Sequence, residues 1–113
     1  MNSTVRGHIN EENLKAFADT LSWLIQYPLD YRDWDAIGPG VARSDLETNN
    51  WFNYSFCGPE HTIEAKFAYD NDASWIDLDI FAPEFLCAKI EMAVFIFQSF
   101  SVAPFLIKGE EEP

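Results

Sequence analysis

Apolar and polar residues alternate with two different periods along this 113-residue chain. From Leu14 onward, Phe17, Ala18, Leu21, Leu24 and Ile25 recur at helical spacing, which predicts an amphipathic helix packed on a core. Asn10 is a favoured N-cap for it, Glu11 and Glu12 suit the positive end of its dipole, and Ile9 is placed to staple onto Leu14. Pro28 ends the pattern. Residues 1–9 read as a frayed start.

Beyond residue 50 the period falls to two. Trp51 to Cys57 places Phe52, Tyr54 and Phe56 on one face. Thr62 to Tyr69 places Ile63, Ala65, Phe67 and Tyr69 inward, with Glu64 and Lys66 outward. Ser74 to Phe81, SWIDLDIF, places Ile76, Leu78 and Ile80 inward and Trp75, Asp77, Asp79 and Phe81 outward. The linkers Gly58-Pro59-Glu60-His61 and Asp70-Asn71-Asp72-Ala73 are turn-formers, so the three runs predict an antiparallel meander with one covered face. Pro83 suits the first turn of a second helix running to Gln98. That helix is so apolar that burial on most sides is expected, across the inward face of the meander. Phe105 to Ile107 predicts a last short strand, followed by an acidic tail, 108–113. Residues 28–50 read as irregular, with a short helical turn around Leu29, Trp34 and Ile37 closed by Gly38-Pro39, and a short strand from Gly40 to Arg43. The resulting fold class is α+β: one domain, 1–113, in which a three- to four-stranded antiparallel meander packs against an N-terminal and a C-terminal helix.

Charge changes this picture more than composition does. Nineteen acids against seven Lys and Arg give a net charge of −12, and residues 30–82 carry eleven of the acids against three bases. Such a charge repels phosphate backbones and anionic lipid, so neither nucleic acid nor membrane is an expected partner. It attracts and steers a basic protein. Two cysteines are too few for a disulfide framework or a four-ligand zinc site, and with no signal-peptide run the expected compartment is the cytoplasm.

Candidate chemistry is sparse. Asp33/Asp35, Asp70/Asp72 and Asp77/Asp79 are Asp-x-Asp pairs, and such carboxylates suit a hard cation. The run from Asp70 fails as a calcium loop, with Trp75 where glycine is required and Phe81 where a bidentate Glu is required. His8 and His61 have no nucleophile partner, and no P-loop, G-x-G-x-x-G or G-x-S-x-G occurs. The expectation is therefore no enzyme, no cofactor and no metal. The strip Trp75, Asp77, Asp79 and Phe81 reads either as a solvated sheet surface or as a docking surface, since aromatics anchor interfaces and the acids would receive Lys or Arg. Glu64, Asp70 and Asp72 extend it, and Asp33, Trp34 and Asp35 form a second acidic-aromatic cluster.

A small, acidic, aromatic-rich α+β chain with these two clusters and no catalytic motif resembles the immunity proteins of bacterial contact-dependent inhibition and polymorphic toxin systems. The resemblance is one of overall character and carries over no residue. It implies binding to a cognate toxin domain, commonly a basic nuclease, with the acidic face occupying the nuclease's nucleic-acid surface. An anti-CRISPR or other DNA-mimic inhibitor, and a small metal-binding or enzymatic domain, are the alternatives that the sequence leaves open.

Overall fold

A computed structural model describes residues 1–98 and 107–108. The chain runs β1 (Asn2–Asn10), a 3-10 turn (Glu11–Asn13), α1 (Leu14–Leu24), α2 (Tyr31–Arg43), β2 (Phe52–Cys57), β3 (Thr62–Asp70), β4 (Trp75–Pro83), α3 (Glu84–Phe97) and β5 (Ile107–Lys108). All pairings are antiparallel and the order across the sheet is β2-β3-β4-β1-β5. The meander is therefore the expected one, and the class is α+β. Residues 109–113 of the expected acidic tail, and Phe105 and Leu106 of the expected last strand, lie outside the described residues.

The main correction concerns the start of the chain. Residues 2–10 are not frayed; they form β1, which pairs along its whole length with β4, from Asn2 opposite Pro83 to Asn10 opposite Trp75. Val5 and Ile9 face the core with no exposure and lie opposite Ile80 and Ile76. Gly7 sits between them opposite Leu78, so the inward row of β1 holds only two large apolar side chains. Neighbours, not its own pattern, make this segment a strand.

A second correction lies in the middle segment. Asp30 caps α2 with a reciprocal capping box: its carboxylate accepts from Arg32 N (2.9 Å) and Asp33 N (3.3 Å), while the Asp33 carboxylate accepts from Asp30 N (2.9 Å). The helix then runs on through Gly38, Pro39 and Gly40 to Arg43, where a turn and a short strand were expected. Pro39 points to solvent, and its missing N–H removes one helical bond without stopping the helix. Gly40 is required by packing, because a Cβ there would run into the Phe52 ring of β2. Buried Ile37 and Val41 complete the contact with the sheet. The Ser44 hydroxyl then ties the helix end to β3, donating to Val41 O (2.6 Å) and accepting from Tyr69 N (3.0 Å).

α1 begins at Leu14, after the 3-10 turn, and Asn10 makes no side-chain cap bond. It also ends before Pro28: Gln26 takes a positive φ of 57°, and Tyr27 N donates back to Ser22 O (2.8 Å). α1 and α3 pack in one layer on the inner face, with Phe17 edge-on to Phe97 at 6.4 Å. The core joins Phe17 and Leu21 of α1, Ile90 and Val94 of α3, and Phe56, Ile63, Phe67, Ile76, Leu78 and Ile80 of the sheet.

The expectation for α3 is corrected too. Leu86, Cys87, Ile90, Ala93 and Val94 are buried, but Phe85, Met92, Phe95 and Ile96 are 63%, 61%, 46% and 54% exposed. At 100° per residue these four and Ala88 occupy about a third of the helix circumference, opposite the core side. The helix is apolar on both faces and buried on one.

Candidate protein-binding site

The outer sheet face carries the SWIDLDIF strip, and the register fixes its neighbours. Trp75 lies between Asp70 of β3 and Asn10 of β1, Asp77 between Ala68 and His8, Asp79 between Lys66 and Arg6, and Phe81 between Glu64 and Thr4. Trp75, Asp77, Asp79, Phe81, Glu64 and Asp70 are thus brought onto one surface, with Asp72 in the turn at its end.

The carboxylates of this strip are engaged within the chain. Asp79 forms an ion pair with Arg6 at 3.6 Å and has Lys66 opposite it on the other side. Asp77 accepts a 2.8 Å bond from the Trp75 indole, and burial pushes its carboxyl above the ordinary Asp value. Asp70 caps its own turn, accepting from Asp72 N (3.1 Å) and Ala73 N (3.3 Å). Glu64 accepts from Ser55 Oγ across β2.

His8 is far from the exposed start that was expected for it. It is 3% exposed on the outer face, and its ring stacks on Trp75 with centroids 3.7 Å apart. Burial lowers its pKa, so the fold holds a neutral imidazole at neutral pH. Cys57 is exposed on the edge strand, whereas Cys87 is buried. His61 sits edge-on to Phe85 at 4.9 Å, and so bridges the β2–β3 turn to α3.

The second predicted cluster comes apart. Asp33 is 8% exposed and accepts from Tyr27 Oη (3.1 Å) and Tyr54 Oη (2.6 Å) besides closing the capping box. Burial first, and the Asp33 bond second, push the Tyr54 phenol well above its ordinary value. Asp33 belongs to the fold and is not free to meet a partner. Trp34 packs against the core with Lys15 Nζ 4.6 Å above its ring, and Asp35 alone of the three is exposed.

Two features went unread in the sequence. The first is the exposed row on α3; the clue was a helix with too many apolar residues for one buried face. The second is an acidic end of the sheet. Leu46 N donates to Tyr69 O (2.9 Å), and Tyr69 Oη donates to Glu11 Oε1 (2.9 Å). These bonds draw Glu11 and Glu12, Asp45 and Glu47, and Asp70 and Asp72 together from three distant segments. Beside Glu11 and Tyr69 opens a cleft of about 350 Å³, lined also by Leu14, Val41, Ala42 and Ile76. A second hollow, of about 390 Å³, adjoins it and shares Glu11, with Glu12, Asn10 and Ser74 on its walls.

Among the described residues no group of three His, Cys, Asp or Glu side chains is placed to hold a metal ion. No helix among them is long and apolar enough to cross a membrane. Comparison of the chain with protein families, with curated proteins and with solved structures gives no match.

Proposed function

We propose that this chain is a protein-binding module of the toxin-immunity type, which neutralises a basic protein by occupying its surface. The exposed row Phe85, Met92, Phe95 and Ile96 carries the reading. Contiguous apolar surface on a small domain is characteristic of interaction sites, and aromatic and Met side chains are enriched in interface cores. The charge of −12 selects a cationic partner and speeds its encounter. A phosphate-mimicking sheet face fits less well, because Arg6 and Lys66 flank Asp79 there.

The test is co-expression with the products of the adjoining genes, followed by calorimetric titration of this chain with a basic protein among them. Tight binding whose affinity falls steeply with salt is expected. Met92→Glu with Ile96→Glu should weaken it at least a hundredfold, because both side chains are solvent-facing and the fold does not depend on them. No complex with the neighbouring protein, or one indifferent to the double substitution, overturns the proposal.

A further inference from the structure

We propose that the cleft between α1 and α2 receives an arginine side chain of the protein partner. This deepens the function proposed above and rests on it. The cleft is amphipathic in the sense an arginine requires. Leu14, Val41, Ala42 and Ile76 give an apolar wall for the methylene stem, while Glu11 and Tyr69 stand at its polar end. Glu11 uses Oε1 to accept the Tyr69 hydroxyl at 2.9 Å, which leaves Oε2 for an incoming donor. The half-buried Tyr69 ring offers a face on which a planar guanidinium stacks.

Size and charge narrow the occupant. About 350 Å³ holds one large side chain, and not a helix or a strand. Glu11 is the acid on the cleft wall, Glu12 and Asp70 adjoin the lining residues Glu11 and Tyr69 in the chain, and the net charge is −12, so the field near the cleft favours a cation. Arginine suits the site better than lysine, because its guanidinium is more weakly hydrated and its planar face stacks on an aromatic ring while one N–H reaches Glu11. Free arginine is disfavoured, since its own carboxylate would be repelled by Glu11 and by the net charge of −12.

The experiment is a titration of the ¹⁵N-labelled protein with N-acetyl-arginine amide, followed through amide shifts. N-acetyl-citrulline amide, N-acetyl-lysine amide and free arginine are the comparison arms. Saturable shifts are expected at Glu11, Val41, Ala42 and Tyr69, with citrulline at least tenfold weaker, and lysine and free arginine weaker than the capped arginine. Glu11→Gln keeps the acceptor for Tyr69 and should weaken binding at least fivefold. Ala42→Leu, on an exposed helical position that leucine tolerates, should abolish it while the rest of the spectrum stays in place. Equal binding of citrulline, or shifts scattered over the acidic surface, overturns the proposal. Equal binding of lysine overturns the choice of arginine, and tighter binding of free arginine overturns the choice of a protein side chain. If Ala42→Leu fails to fold, Glu11→Gln decides alone. The neighbouring basic protein separates this inference from the function it rests on. If Met92→Glu with Ile96→Glu weakens that complex and Ala42→Leu does not, the cleft assignment falls and the function stands. If no complex forms at all, the function falls, and the arginine titration still judges the cleft.

Discussion

Replacing Asp33 tests whether this carboxylate belongs to the fold or to an interface. Asp33→Ala removes the acceptor of three bonds: from Tyr54 Oη at 2.6 Å, from Tyr27 Oη at 3.1 Å and from Asp30 N at 2.9 Å. A hydrogen bond to a charged group contributes about 1.5–3 kcal/mol, and the two tyrosines are only partly buried, so water satisfies part of what they lose. The expected destabilisation is about 4 kcal/mol, a large share of the roughly 5–15 kcal/mol that holds a domain together. Asp33→Asn retains one acceptor oxygen and should cost about 1–2 kcal/mol. Urea unfolding followed by tryptophan fluorescence gives both values. A double-mutant cycle of Asp33→Asn with Tyr54→Phe should show coupling of about 1.5 kcal/mol. If Asp33→Ala leaves the unfolding midpoint where it was and instead lowers partner affinity, Asp33 is a contact residue and the structural assignment is wrong.

Two further outcomes follow from the geometry. Burial raises the Asp77 pKa, so its charged form opposes folding above that raised value, and the penalty disappears as the pH falls below the ordinary Asp value of 3.8. Asp77→Asn, which keeps an oxygen for the Trp75 indole, should raise the Tm at about pH 7 and leave it unchanged at about pH 3; a lowered Tm at neutral pH contradicts the burial argument. Pro39 lies in α2 with its ring in solvent, so Pro39→Ala restores a helical N–H at no cost to the core. The helical gain of about 3 kcal/mol, less up to about 1 kcal/mol for the freer unfolded chain, should give a net stabilisation of about 2 kcal/mol, read by urea denaturation. Absence of any gain would mean that the helix around Pro39 has relaxed to need no such bond.

The parts of the fold written in local pattern were legible. Period two located β2, β3 and β4 and put Trp75, Asp77, Asp79 and Phe81 on one face. What period cannot show is who stands beside each residue. Arg6 and His8 flank Asp79 and Asp77 only because β1 is a strand, and β1 has Gly7 where a third apolar side chain would have announced it. The same blindness hid α2: Gly38-Pro39-Gly40 has the composition of a turn, and only the Phe52 ring shows why a glycine belongs at 40. Asp33 looked like a surface acid because its tyrosine partners come from residues 27 and 54. The acidic end was unreadable for a related reason, being assembled from three segments that meet only in the folded chain.

The pairing of β1 with β4 also sets an order of events. Asn2 pairs with Pro83 and Asn10 with Trp75, so every rung of that ladder joins residues more than sixty positions apart. Such distant pairings are slow to close, because the chain entropy is lost before any contact rewards it. On the ribosome the first strand made must wait for the last strand of the meander, an interval on the order of ten seconds at ordinary rates of synthesis. Until then Val5 and Ile9 are apolar residues without a sheet, and the nascent chain stays open to aggregation until β4 has been translated.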